Sequence, residues 1–296
     1  MSSNKPILYA ELTYGDTTVK FSGTRISSGA YITDEGITGW YSTPDAKWSL
    51  TERSYSDGAF SVEDDYIIYS TRTITASIGV VAPNRSTLLD TWGQILACAH
   101  HECKFRVVDA DSDTYVYGYP TVESEATWDS RYNEGTLTIV CPDPRRLSTT
   151  YDSCVLDPSN TSIGGGLFYG DDAAGLVYDL SYGDIETEST NTGTVNNNGS
   201  ATSYPVVSVY GPFDDGFSLR MRTGGELYVV AYSEIVTGVP VVLDYHTRQI
   251  TCGGADRSRY LTSRGFAGIA PGNSATFNFL AVGSGYAYVE IHDTYV

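Results

Sequence analysis

Basic residues are scarce in this 296-residue chain: Lys and Arg number 18 against 36 Asp and Glu, and lysine occurs only at Lys5, Lys20, Lys47 and Lys104. The formal net charge of −18 is evenly spread, because residues 1–145 hold 20 acids and 11 bases and residues 146–296 hold 16 acids and 7 bases, −9 in each half. Gripping a nucleic acid takes many cations to neutralise phosphates. No basic stripe exists, so specific nucleic-acid binding is excluded. Cysteine is also sparse: the five residues at 98, 103, 141, 154 and 252 are odd in number and scattered, unlike a disulfide framework. No run approaches the roughly 20 apolar residues that span a bilayer. The start, MSSNKPILYAEL, has no long apolar stretch after its single lysine. The expectation is a soluble protein made in a cytoplasm, with no secretory signal and no membrane insertion.

Catalytic motifs are missing as well. There is no G-x-S-x-G elbow and no phosphate-cradling G-x-x-x-x-G-K-[ST]. Asp244 and His246 lie two apart on a strand-like run, without a serine partner in view, and four histidines leave little for acid–base work. A glycosidase needs two well-placed carboxylates, and nothing among the 36 acids selects a pair. The expectation is no enzyme, no catalytic residue and no cofactor.

Two stretches carry metal-ligating atom types. In CAHHEC (98–103), Cys98, His100, His101 and Cys103 suit zinc. The spacing is poor: on a helix, 98 and 101 share a face, His100 points away, and no second Cys/His pair follows nearby. A helix C-terminus, where histidine is favourable, explains them as well. DADSD (109–113) starts like a calcium loop, but Thr114 stands where glycine belongs and Pro120 where glutamate belongs. Between two strand-like runs it reads as a hairpin turn. No metal site is expected.

Strand signals fill the rest, with 24 Tyr, 30 Gly and many Val, Ile and Thr. Period-two runs recur at 7–14, 67–81, 104–109, 114–122 and 136–140, then at 176–182, 205–211, 226–232, 239–245, 276–282 and 286–291. Short strands with Gly, Asn and Asp between them read as sandwich or barrel. In 83–102, Leu88, Leu89, Trp92, Ile95, Leu96 and Ala99 make a helical stripe instead, and Asn84 or Ser86 offers the N-cap. One helix is expected near 84–100, laid on the first sheet. The Ser/Thr/Asn/Gly-rich stretches within 149–203 read as a loop-rich approach to a second half. The tyrosines suit half-buried strands, subunit interfaces and sugar-stacking surfaces alike.

The stretch IVCPDPRRLS (139–148) poses a choice between a chemical site on Cys141 and Asp143 and a joint between folded units. Pro142 and Pro144 cannot donate to a ladder and push their predecessors toward extended geometry. A strand ending there leaves its sheet, so Pro142, Asp143 and Pro144 read as an interdomain linker. The fold class expected is mainly β, with two β-sandwich domains: 1–145 with the helix, and 146–296.

Three stretches in order resemble the distal tail proteins (Dit) of long-tailed siphoviruses. They are GITGWYSTPDAKWSLTERSYSDGAF (36–60) with Arg53 and Asp57-Gly58, followed by RTITASIGVVAPNRSTLLDTWGQILA (72–97); GTLTIVCPDPRRLS (135–148); and NNGSATSYPVVSVYGP (197–212) with VPVVLDYHTRQITCGGADRSRYL and IAPGNSATFNF (269–279) after it. Residues 149–196 and the CAHHEC end of the helix depart from the family pattern. The resemblance implies a tail-tip part, virion-borne and non-enzymatic: a homohexameric ring whose N-terminal belt surrounds a channel for DNA, with a galectin-like C-terminal sandwich outside. Implied partners are other copies of the chain, the tail tube protein, the tail-associated or baseplate hub protein, the tape measure protein and a host-surface glycan. A host cell-wall carbohydrate-binding module is the alternative function.

Overall fold

The computed structural model describes residues 7–62, 67–125, 128–158 and 191–296. The chain is mainly β and divides into two units: residues 1–150 together with 294–296, and residues 151–293. Each has its own apolar core.

The first unit holds β1 (Tyr9–Tyr14), β2 (Thr17–Ser22), β3 (Gly29–Thr38), β4 (Arg72–Val81), helix α1 (Arg85–Ala97), β5 (Cys103–Val108), β6 (Asp113–Ser124), β7 (Tyr132–Cys141) and the start of β8 (Arg146–Leu156). The strands pair in the order β5-β1-β2-β3-β4-β7. β6 closes the order on itself. Its first half, Asp113–Gly118, pairs with β5, and its second half, Tyr119–Ser124, pairs with β7. Alternation fills the interior: Ile74, Ala76, Ile78 and Val80 of β4 are buried, the first two opposite the buried Ile139 and Leu137 of β7. Successive side chains of a strand point to opposite faces, so one apolar residue in two suffices.

The helix begins where expected. Asn84 Oδ1 accepts the Thr87 backbone N–H at 2.9 Å, which satisfies a donor the first turn leaves free. Leu88, Trp92 and Ile95 enter the core, and Trp92 meets Trp128 edge-on at 5.6 Å. The other stripe leucines, Leu89 and Leu96, stay 48% exposed. The helix stops at Ala97 rather than near 100, because His100 takes a left-handed φ of 64° and its N–H donates to the Pro120 carbonyl of β6.

In the second unit, β15 (Ala255–Asp256), β14 (Gln249–Cys252), β13 (Val241–Asp244), β10 (Val206–Tyr210), β18 (Tyr286–Tyr295) and β8 form one sheet in that order. β16 (Leu261–Arg264), β12 (Glu226–Tyr232), β11 (Phe213–Thr223), β17 (Ser274–Gly283) and β9 (Thr192–Asn196) form the other. Val207, Val209, Val289 and Ile291 from the first sheet share a core with Leu219, Met221, Val230, Phe277 and Phe279 from the second.

The N-x-G-x-A stretch is the knot of this unit. Asn197 is 1% exposed. Its Nδ2 donates to the carbonyls of Ala201 and Ile269, both at 2.8 Å, and its Oδ1 accepts from Gly199 N. Its backbone carbonyl accepts from Gly272 N and its N–H donates to the Asn273 carbonyl. One buried amide thus ties the 197–201 turn to the 269–273 turn. Asn197→Leu leaves those buried groups unpaired, each costing about 1–3 kcal/mol, and is expected to lower the denaturant midpoint of the second unit while the first unit's transition stays in place.

Two expectations differ from the structure. The approach over 149–203 is not all loop: β8 runs to Leu156 and β9 occupies Thr192–Asn196. Both strands are rich in Ser, Thr and Asn, so their alternation is masked; in β9 only Val195 is buried. The run 176–182 lies outside the described residues. The division between units falls at Thr150/Tyr151, inside β8, rather than at 145/146. β8 is one continuous strand whose first residues still pair with β6, Ser148 opposite Thr114 and Leu147 opposite Tyr115.

Candidate assembly surfaces

The residues singled out for chemistry have structural partners instead. Cys98 and Cys103 are buried, and the Cys103 thiol donates to the Cys98 carbonyl at 3.3 Å. Burial pushes the Cys103 thiol up to about 12. His101 stacks on Tyr14 with centroids 4.3 Å apart. Among the described residues, no three His, Cys, Asp or Glu side chains gather as metal ligands would. DADSD forms the β5–β6 turn: Asp109 N donates to the Ser112 carbonyl at 2.7 Å and Tyr41 OH to Asp109 Oδ2 at 2.7 Å. Asp113 leaves that turn to pair with Arg106 at 2.6 Å, and the Arg106 hydrogen bonds hold its carboxyl below the usual range. Asp244 Oδ1 accepts the N–H groups of His246 and Thr247 and shapes the β13–β14 turn.

Pro142, Asp143 and Pro144 sit in the turn between β7 and β8, inside the first unit. Asp143 Oδ1 accepts the Arg145 backbone N–H at 3.1 Å, and its carboxylate takes the Arg145 guanidinium at 2.9 and 2.7 Å. Cys141 is buried at the strand end, and burial pushes its thiol up to about 12. It stays a protonated, inert thiol at neutral pH.

The same turn belongs to a larger device. Arg72, at the start of β4, is 2% exposed. Its Nε donates to the Pro144 carbonyl at 2.7 Å, and its Nη1 donates to the carbonyls of Gly39, Trp40 and Ser42 at 2.7, 3.1 and 2.7 Å. The buried Trp40 ring meets Phe105 edge-on at 5.7 Å. The Arg146 guanidinium lies over both the Trp40 and Tyr41 rings, at 5.6 and 5.7 Å. Burial lowers the pKa of Arg72 and of Arg146, and Arg146 lowers that of Arg72 further. Gly39 is required at this crossing: its φ is 80°, and a Cβ there would lie 2.1 Å from the Thr73 carbonyl oxygen.

What this clasp anchors is a ribbon, described over residues 39–62 and 67–71, between β3 and β4. Ala46 bridges Tyr69 and Glu52 bridges Ala59, both antiparallel. Backbone bonds run from Ser70 N to the Asp45 carbonyl, Arg53 N to the Gly58 carbonyl and Phe60 N to the Thr51 carbonyl. Gly58, at a φ of 82°, turns the tip. Trp48, Leu50, Tyr55, Phe60 and Ile68 are all more than half exposed. A two-stranded ribbon is marginal by itself, and clustered exposed apolar side chains mark an interaction surface. The clasped base therefore carries an arm whose apolar side chains stay exposed among the described residues. The sequence signal was present, since the first resembling stretch is this ribbon; its lack of cover became visible only with burial.

No family model matches the chain, and no curated protein matches it. Solved structures do. The Dit (gp 19.1) protein of phage SPP1, described as a paradigm of the hub adsorption apparatus in phages infecting Gram-positive hosts, aligns with a TM-score of 0.58 at 11% identity, over 97% of this chain and 99% of that one. A chain of the phage P2 baseplate in its activated conformation with Ca aligns with a TM-score of 0.53 at 11% identity, over 96% and 97%. A chain of the same baseplate with Sr gives 0.54 at 10% identity over the same shares. Over nearly its whole length, the chain has the fold of Dit-type hub proteins.

Proposed function

We propose that this chain is a structural, non-enzymatic subunit of a phage tail tip, synthesised in the host cytoplasm and carried at the distal end of the virion tail. Copies close into a homohexameric hub ring around a channel for DNA. The first unit forms the belt, and the second projects outward as a galectin-like sandwich. The Pro142–Asp143–Pro144 turn leads the chain out of β7 toward it. One ring face meets the tail tube protein and the other the tail-associated or baseplate hub protein.

The observation that carries this reading is the likeness to hub and baseplate chains over 96–97% of the sequence. The apolar ribbon supports it physically. A ring repeats one heterologous contact until it closes, and such a contact needs an arm on one copy and a receiving surface on the next. The net charge of −18 suits a conduit that DNA passes without adhering. The test is the mass of the purified protein in solution. Six copies of 32.1 kDa, about 193 kDa, are expected; a species that stays at 32.1 kDa up to high concentration and in the presence of the tail tube protein overturns the ring.

A further inference from the structure

The first unit carries opposite charge on opposite sides. In its closed strand order, β1-β2-β3-β4-β7-β6-β5, β4 and β7 each lie three pairings from β1. On the outward face around β1, Arg106 of β5 takes two carboxylates, Glu11 at 3.0 Å and Asp113 at 2.6 Å. Lys20 of β2 and Lys104 of β5 are left without an ion pair among the described residues. Each ammonium stands over a tyrosine ring instead, Lys20 at 3.6 Å from the Tyr9 centroid and Lys104 at 3.8 Å from that of Tyr115. On the far side, a pocket of about 250 Å³ opens over β3, β4 and β7. Asp34, Glu35, Glu125 and Glu134 line it, and no Lys or Arg does. Glu35 Oε2 accepts the Ser77 hydroxyl at 2.7 Å. None of the four carboxylates makes an ion pair among the described residues, although Arg25 stacks on the Tyr132 ring at 5.1 Å beside them.

We propose that the Lys20–Lys104 face of one copy docks over the Asp34–Glu35–Glu125–Glu134 pocket of the next, barrel against barrel. This rests on the ring reading and adds to it the two faces of the first unit that meet. A heterologous contact joins two different surfaces of the same chain. These two differ in sign and lie on opposite sides of the barrel, so a copy engaged through one still offers the other. Charge selects the occupant on both sides. Arg106 has already taken Glu11 and Asp113, so the free ammonium groups look outward for carboxylates. The four acids of the pocket do not converge as metal ligands would. The pocket has the liquid volume of about eight waters at ~30 Å³ each, room for the head of a long cationic side chain. Two chains of net charge −18 repel each other as wholes. Local attraction between the faces offsets that repulsion where they touch and fixes their register, while the ribbon supplies the apolar anchors.

The test is a charge swap on the full-length chain, read by sedimentation. Lys20→Glu with Lys104→Glu reverses one face, and Asp34→Lys with Glu125→Lys reverses the other. Lys20, Asp34 and Glu125 are exposed and Lys104 is half-buried, and thermal unfolding checks the fold of each variant. With like charges facing, each reversed variant alone is expected to associate about a hundredfold or more weakly than the parent. Their equimolar mixture is expected to recover the ring mass. When the two kinds of copy alternate, opposite charges face each other at every contact, and a ring of six closes on that alternation. The milder pair, Lys20→Gln with Lys104→Gln, is expected to weaken association about tenfold; unchanged association in it overturns the pairing even where a reversed variant fails to fold. A mixture that stays apart while the parent forms a ring, or a reversed variant that keeps the ring mass by itself, overturns the pairing of faces and leaves the hub reading standing. A parent that never exceeds 32.1 kDa sinks both.

Discussion

Replacing Arg72 with alanine is expected to lower the unfolding temperature of the first unit by about 8–16 °C, from a loss of about 4 kcal/mol. The size follows from what the side chain holds. Its guanidinium binds four backbone carbonyls from two separate segments, at Gly39, Trp40 and Ser42 on one side and Pro144 on the other. Among the described residues it makes no ion pair, so its charge is met by carbonyl dipoles. Removing it leaves those carbonyls without their donor, at about 1–3 kcal/mol for each that stays buried, and empties a side-chain volume from a packed interior. Lysine is a poor substitute, because a point charge on a flexible stem cannot reproduce a planar fork. The sharper control is Arg72→Met. It removes the desolvated charge while keeping volume, and buried charges replaced in that way are often neutral in effect. Here the carbonyls remain, so the variant is still expected to lose about 2 kcal/mol or more. Calorimetry on both variants provides the check, with the second unit's transition as internal reference. A methionine variant as stable as the parent would mean that the clasp is packing alone.

How much of this was legible beforehand depends on where burial is one-sided. β7 alternates strictly between an apolar core face and an outer face, β4, β12 and β18 do so over part of their length, and each stood out as a period-two run. The helix stood out because Leu88, Trp92 and Ile95 recur at helical spacing, and Asn84 marked its start. β9 was hidden because the short TGTVN buries only Val195 and is held by cross-strand contacts such as Thr194 with Thr276, 3.2 Å apart. β11 was hidden because Asp214, Asp215 and Gly216 interrupt its start, where its pairing with β17 shifts register. The proline turn was visible as the end of a strand. Its position inside the first unit was not, since that depends on β6 pairing with Leu147 and Ser148 past the turn. Arg72 was visible only as the first letter of a strand. Four carbonyls that come from 39–42 and 144 are distant in sequence, and no local pattern announces them. The stacked tyrosine pair was legible as composition but not as geometry, because only strand order brings Tyr210 beside Tyr286.

The ribbon gives the second large effect, and it separates assembly from folding. Trp48, Leu50 and Phe60 are each more than half exposed in the isolated chain, so changing all three to serine removes little that the folded monomer uses. Surface changes of this kind typically move stability by no more than about 0.5 kcal/mol each, and the thermal profile is expected to be nearly that of the parent. In a ring the same side chains would be the anchors of every contact. Buried aromatic anchors cost about 2 kcal/mol or more apiece when truncated. Three of them, allowing for incomplete additivity, weaken each contact by about 10³–10⁴-fold. Because a closed ring needs all of its contacts at once, the triple variant is expected to run as a 32.1 kDa monomer at concentrations where the parent is a ring. Sedimentation of parent and variant side by side decides it. A variant that keeps the ring mass removes the ribbon from the interface. A variant that unfolds at a temperature lower by many degrees would show that these side chains serve the fold of their own chain, so that their exposure had been misread as a sign of partnership. The Arg72 and ribbon experiments then bear on each other: if the clasp exists to aim the ribbon, Arg72→Lys protein held well below its melting point should already associate less tightly than the parent, although every apolar side chain of the ribbon is intact.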